Sequence, residues 1–343
     1  MNRKANYLPW DISFDDYREL HTSTEKLLFL IKFAVLAPSS HNSQPWNFQV
    51  KNDVISVGVA DDRRLHFSDP TGRQSFISLG CAIENILVAA RFYDLNFILD
   101  HSNVESNSIF KIIFNDKEKN IYTDEEKKLI FSIPKRFTDR GEYFKDNSLI
   151  EEIKTLSIKM DPNINFDLFT TGEEIKTLSN IMTSASRDAF SNISFRNELG
   201  RYIITSSSNK FIGMPANTIL MPEFIAFAGK LLFKYINIGK INYYKEKKLL
   251  ERNTPAIGII SSKEDNPNNW IASGRYFEQI ALLATSLGIR VAPMAAAIEM
   301  SSKREEIKRR LQNQYYPQII FRIGRSKSKI LKSPRLDVNQ VVI

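Results

Sequence analysis

The chain has a single cysteine, Cys81, among 343 residues, which excludes an intrachain disulfide and a cysteine metal cluster. Histidine is nearly as scarce. His21, His41, His66 and His101 are the full set, and no two have the spacing of metal ligands, so no metal is expected. No Gly-x-Gly-x-x-Gly follows a strand, and neither a Walker loop nor a Gly-x-Ser-x-Gly elbow occurs. A Rossmann nicotinamide domain is therefore unsupported. Long apolar runs are missing too: the most apolar later window, Ile219 to Ile238, is interrupted by Pro222, Glu223, Lys230 and Lys234, which reads as a buried or surface helix rather than a membrane span. Near the N-terminus Arg3 and Lys4 are followed by Trp10, Asp11, Asp15 and Asp16, where a signal peptide needs an apolar stretch. A cytoplasmic, reducing location is expected.

Positive charge is plentiful but confined. The net charge is +8, and Ser301 to Ile343 alone holds 11 Lys/Arg against 3 Asp/Glu, so the preceding residues sum to zero. Lys303, Arg304, Lys308, Arg309 and Arg310 with Glu305 and Glu306 read as a solvated helix face. Arg322, Arg325, Lys327, Lys329, Lys332 and Arg335 follow a strand and suit a phosphate. Aromatics do not interleave with the basic positions between Lys327 and Arg335, which argues against nucleic acid. A hydrophobic content of 43% supports a sizeable core in two domains or one pseudo-symmetric one.

The segment Ala37-Pro38-Ser39-Ser40-His41-Asn42-Ser43-Gln44-Pro45-Trp46 stands out as too polar for a core. Thr22 and Glu25 form a capping box that opens a helix, and Leu27, Leu28, Leu30, Ile31, Ala34 and Val35 carry it to Pro38. Downstream, Trp46 to Val50 and Val54 to Val59 read as strands around a turn at Asn52-Asp53. The loop between helix and strand thus presents small polar side chains at the rim of a buried scaffold, where binding residues concentrate.

A second pattern is a repeat. Gly80, Glu84, Asn85, Ile86 and Ala90 align without gaps on Gly274, Glu278, Gln279, Ile280 and Ala284, at an offset of 194 residues. Both copies are too apolar all round for surface helices, so each is expected to be the central helix of its own half. One copy so far downstream indicates a fused duplication rather than a solenoid.

The Pro-Ser-Ser-x-Asn-x-Gln-Pro-Trp string resembles the flavin-binding loop of the nitroreductase superfamily, and Asp62-Arg63-Arg64-Leu65 with Ser68 to Arg73 and a helix from Ser78 resembles its twin-domain, Acg-like branch. The resemblance implies an α+β nitroreductase fold of mixed sheets flanked by helices, its halves at 1–130 and 131–343 forming an intrachain pseudo-dimer. Within the family one half supplies the loop and the other an Arg-x-Ser/Thr-x-Arg/Lys string and a basic C-terminal arm. Here those pieces are Pro38, Ser39, Ser40, His41 and Asn42 on one side, and Arg136, Thr138, Arg140 and Arg335 on the other. The second half's helix Glu173 to Met182 leads into Ser184 to Asn192 without a Gln-Pro-Trp, which implies one intact site and one decayed pseudo-site, hence one FMN per chain. By the same resemblance, Arg136 and Arg335 face the phosphate with Thr138 assisting, Arg140 faces the pyrimidine end of the ring, and the backbone at Ala295 and Ala296 lies near the flavin N5. His41 is expected to touch the ring without acting as a base. The implied chemistry is ping-pong hydride transfer from NAD(P)H to a small-molecule acceptor such as a nitroaromatic or quinone. A flavin-sequestering protein, lidded by the apolar segment 210–229, is the alternative. Further association of pseudo-dimeric monomers stays open.

Overall fold

The computed structural model describes residues 4–101, 110–115, 121–144, 147–154 and 161–343. Arg3, counted in reading the N-terminus, lies outside them. Helix α1 (Ser23–Ala34) opens on the expected capping box, with the Thr22 side chain and Glu25 each satisfying the other's backbone N–H. Strands β1 (Trp46–Lys51) and β2 (Val54–Val59) follow as a hairpin whose turn residue Asn52 has φ 52°. Helix α2 (Arg73–Phe92) begins five residues before the expected Ser78, because the Asp69 carboxylate accepts from the N–H groups of Gln74 and Ser75 and so caps an earlier turn. Strands β3 (Phe97–Asp100) and β4 (Phe110–Phe114) complete an antiparallel sheet of order β1-β2-β4-β3.

Short helices α3 (Asp124–Lys128) and α4 (Asn147–Lys154) lead to β5 (Ile164–Phe169). Helices α5 (Gly172–Ser191) and α6 (Ile193–Tyr202) come next, then β6 (Ile203–Ile204) and β7 (Met214–Pro215), a two-residue parallel pair. Helices α7 (Glu223–Tyr235) and α8 (Gly239–Arg252) precede β8 (Ala256–Ser262), α9 (Pro267–Ser286) and β9 (Ile289–Pro293). After α10 (Ala296–Glu299) and α11 (Ser301–Lys308), the long β10 (Tyr316–Arg325) closes a second antiparallel sheet of order β5-β8-β10-β9. Parallel pairing appears at the sheet margins, where Val342 of the C-terminal tail bridges Phe48 of β1 and Thr138 bridges Val291 of β9. The architecture is α+β.

The two sheets have matching connectivity: two strands, a long helix, two strands, with α5 to α8 inserted between β5 and β8 where β1 and β2 have a tight turn. The long helices α2 and α9 cross in the centre, and glycine permits it. A Cβ at Gly80 would fall 2.1 Å from the Ile271 carbonyl oxygen, and one at Gly274 would fall 2.0 Å from that of Ile77. Backbone meets backbone at the crossing, and no side chain fits. Helix α2 is the one helix among the described residues long and apolar enough to cross a bilayer, and it is buried in this core. The window Ile219 to Ile238 contributes only the 13-residue α7.

The sequence reading needs one correction. Ser184 to Ser191 is no counterpart of the polar loop; it lies inside α5, which follows β5, whereas α1 precedes β1. Its polar residues suit a helix because Thr183 and Ser184 return their hydroxyls to the Ser179 and Ile181 carbonyls. Without a proline to stop it, α5 runs on to Asn192.

Candidate functional site

The polar loop holds unusual backbone. His41, Asn42 and Gln44 have φ of 51°, 53° and 53°, left-handed conformations that non-glycine residues adopt only when their surroundings impose them. Here hydrogen bonds impose them. The Ser39 hydroxyl accepts from Gln44 N–H, Gln44 Nε2 donates to Phe211 O at 2.7 Å, and Gln44 Oε1 accepts from Leu336 N–H at 2.8 Å. Asn42 Nδ2 donates to both Gly213 O and Pro334 O, at 2.9 and 3.0 Å, and Asn42 Oδ1 accepts from Arg335. The loop is thereby clamped between the 210–219 segment and the C-terminal arm. Both amide hydrogens of Asn42 go to protein carbonyls, so what it offers a ligand is its remaining acceptor capacity.

Beside this loop is a pocket with about 480 Å³ of empty space, open solvent at its mouth included. Seven of the residues singled out from the sequence line it: Pro38, Ser39, Asn42, Arg136, Thr138, Arg140 and Arg335. Trp10, Phe137, Met214, Thr218, Leu331 and Ser333 complete its wall. The mixture of flat apolar wall and convergent polar groups is typical of small-molecule sites.

The positive end of the pocket is built from two buried guanidiniums. Arg136 Nη2 donates to Leu36 O at 2.8 Å and Arg335 Nη2 to the same carbonyl at 3.3 Å, which brings both cations to the end of α1. Arg136 also forms an ion pair with Glu278, Nε to Oε1 3.0 Å, misaligned for a hydrogen bond. Arg335 packs on the Trp10 ring, 5.1 Å from its centroid, and Trp10 Nε1 donates to Ser333 O at 2.8 Å, which fixes the arm. Burial, with Arg136 adjacent, lowers Arg335 to about 9. The Nε atoms of Arg136 and Arg335 have no hydrogen-bond partner among the described residues. Two buried cations lining one pocket suit a multiply charged anion.

Arg140 approaches from the same segment, its Nη1 donating to Thr218 O at 3.1 Å. The turn that aims it is held by Asp139, whose carboxylate accepts from Gly141 N–H and from the Ser326 and Ser328 hydroxyls. Thr138 is held in place by its bridge to Val291.

Four singled-out residues lie outside the pocket lining. Ser40 faces the opposite way, its hydroxyl donating to Gln74 Oε1 at 2.9 Å, and Gln74 and Arg73 both donate to Glu299. His41 is wedged near Tyr202 and Phe195, ring centroids 5.7 and 6.4 Å away. Burial lowers it to about 4, with Arg140 adding to the shift and Glu198 opposing it, so the imidazole is neutral near pH 7. Ala295 caps α10 and Ala296 packs against the second core cluster. Sequence reading missed Trp10, Gln44, Gln74, Glu278 and Glu299. Of these, Glu278 was detectable as the one carboxylate in α9.

No protein-family model matches the chain. Over 67 residues, 20% of this chain and 20% of the relative, it is 30% identical to Acg of Mycobacterium tuberculosis, named as an NAD(P)H nitroreductase. Over 65 residues, 19% of each, it is 35% identical to a second M. tuberculosis protein so named, Rv3131. These matches span about a fifth of the relatives' length. Among solved structures, one named as a nitroreductase from Anabaena variabilis has a TM-score of 0.49 at 10% identity, covering 92% of each chain. An FMN-bound nitroreductase from Desulfitobacterium hafniense has a TM-score of 0.35 at 16% identity, covering 61% of this chain and 93% of that one. Over these segments the chain is similar to the Acg-like nitroreductases.

Proposed function

We propose that the pocket binds one FMN per chain and that the protein is an FMN-dependent NAD(P)H oxidoreductase of nitroreductase type, acting on a nitroaromatic, quinone or similar small acceptor. The observation that carries this reading is the convergence of Ser39 and Asn42 with Arg136, Thr138, Arg140 and Arg335 on one pocket, from segments far apart in the chain. The residues fit the group: the paired guanidiniums of Arg136 and Arg335 suit its phosphate, and Trp10, Phe137 and Met214 suit its flat apolar surface.

When bound, FMN supplies a ring that accepts a hydride and passes it on. Arg136 and Arg335 neutralise the phosphate, Thr138 adds a hydroxyl, and Arg140 places a cation by the ring. Pro38 and Ser39 shape the wall, while Asn42 holds Arg335 in place. Ser40, Ala295 and Ala296 come into play if the ring extends past the loop towards α10, along the line that Gln74 and Glu299 mark. His41 serves as a neutral loop support. On this reading the halves 1–130 and 131–343 act as a pseudo-dimer with one working site.

One observation favours the flavin-sequestering alternative: Met214 and Thr218 form part of the pocket wall, and Gly213 donates to Asn42 O, so the 210–219 segment covers the loop. Anaerobic stopped-flow mixing of FMN-loaded protein with NADH or NADPH decides between them. Rapid bleaching followed by reoxidation with a quinone or nitroaromatic is expected. Bound FMN that neither nucleotide bleaches would favour storage, and protein left colourless by added FMN overturns both readings.

A further inference from the structure

The two central helices each bury a glutamate completely, and the pair is not used alike. Glu84 of α2 is neutralised by Arg91 at 2.8 Å and Arg275 at 3.1 Å, away from the pocket lining. Glu278 of α9 is the equivalent residue; the position equivalent to Arg275 is Cys81 and that equivalent to Arg91 is Thr285, and neither carries a positive charge. Glu278 therefore takes its countercharge from Arg136, which also lines the pocket. Both Glu278 oxygens are without a hydrogen-bond partner among the described residues.

We propose that Glu278 is the proton-accepting partner of the arginine pair, so that an anionic phosphate entering the pocket binds together with a proton at Glu278. The proposal rests on the reading of the pocket as an FMN site. The charged and titratable groups facing Glu278 are Arg136 of the 136–140 segment, Arg335 of the C-terminal arm, and Glu84 and Cys81 of α2. With Glu278 ionised, the two cations already share one negative charge. A phosphate dianion then approaches a carboxylate one guanidinium away, and both anions compete for Arg136. Protonating Glu278 releases Arg136 to the phosphate and relieves the repulsion. Burial, opposed by Arg136 and Arg335, already pushes Glu278 up to about 7, which puts the proton within reach at neutral pH. Glu84, with two arginines of its own, is held below the ordinary carboxylate range and stays ionised throughout.

Isothermal titration of FMN into the whole protein at pH 7.5, in HEPES and in Tris, measures the proton taken up from the difference in heat between two buffers of unlike ionisation enthalpy. The phosphate's own second ionisation, with pKa about 6, is essentially complete at that pH. Net proton uptake is expected in wild type and none in Glu278→Gln. Between pH 7.0 and 8.0, below the range in which Arg335 loses its proton, the wild-type Kd should rise, by at most about tenfold per pH unit for one proton, while the Glu278→Gln Kd stays nearly flat. A merely structural role for Glu278 would shift the Kd without changing its pH slope. FMN binding in wild type with no proton exchange, or with uptake undiminished in Glu278→Gln, overturns the coupling and leaves the FMN site standing. Absence of FMN binding at every pH overturns the site and the coupling with it. The wild-type titration alone is decisive if the variant does not fold.

Discussion

Glu84 and Glu278 hold equivalent places in two crossing helices, both fully buried, yet one is closed in an internal triad with two arginines and the other is tied to a pocket. The difference lies in two neighbouring positions, for Arg91 of the first helix has only Thr285 as its counterpart in the second. Where the first helix has Cys81 the second has Arg275, and Arg275 reaches across to complete Glu84 while nothing equivalent reaches Glu278. The residues next to a buried charge decide which of two similar helices keeps its electrostatics to itself and which ties them to a pocket.

The comparison predicts where the halves must behave alike and where they must part. At the crossing they are alike: Gly80→Val and Gly274→Val should each lower stability by more than the roughly 1–3 kcal/mol of ordinary core overpacking, because the obstacle is the opposite backbone at 2.1 and 2.0 Å and no rotamer avoids it. Equilibrium denaturation checks this, and a mild loss at one glycine with a severe loss at the other would break the equivalence. At the arginines the halves part. Arg136→Ala should weaken FMN binding roughly tenfold to hundredfold, the effect of a charge-assisted contact of about 1.5–3 kcal/mol, whereas Arg275→Ala and His41→Ala should leave the Kd nearly unchanged. Fluorescence titration with FMN separates these outcomes, and equal losses for Arg136 and Arg275 would show that the whole helix pair, not one half, supports the pocket.

The smallest effect is a slope. Because Glu278 is raised to about 7, the folded state binds its proton more tightly than the unfolded state, so its contribution is most favourable below the ordinary carboxylate range and is lost as pH rises towards 7. Glu84 has the opposite sign: it is lowered, so its contribution is present at neutral pH and lost only as acid protonates it. Ligand-free Glu278→Gln should therefore flatten the fall in thermal stability between pH 5 and 7.5, and Glu84→Gln should lower stability by a similar amount at both ends of that range. Melting curves at the two pH values suffice, and an unchanged slope in Glu278→Gln would place the titrating group elsewhere.

Much of this was legible in the chain. The capping box at Thr22 and Glu25, the hairpin around Asn52 and the two apolar central helices all follow from local hydrogen-bonding capacity and apolar periodicity, which act between neighbours a few residues apart, whereas the α+β class was implied by the resemblance. The proline-bounded polar loop stood out because so many small polar residues between a buried helix and a buried strand need hydrogen-bond partners, which here come largely from distant segments. Other features needed the third dimension. Ser184 to Ser191 carries the polar composition of a loop but satisfies its hydroxyls within a helix, a choice that composition alone does not reveal. That Asn42 and Gln44 clamp the loop to Gly213, Phe211 and Leu336 depends on carbonyls and amides more than a hundred residues away in the chain. The coupling of Glu278 to the pocket is likewise tertiary. A carboxylate's protonation is set by which charges pack within a few ångströms of it, and those charges come from α2, the segment at Arg136 and the C-terminal arm, whose meeting only the folded chain decides.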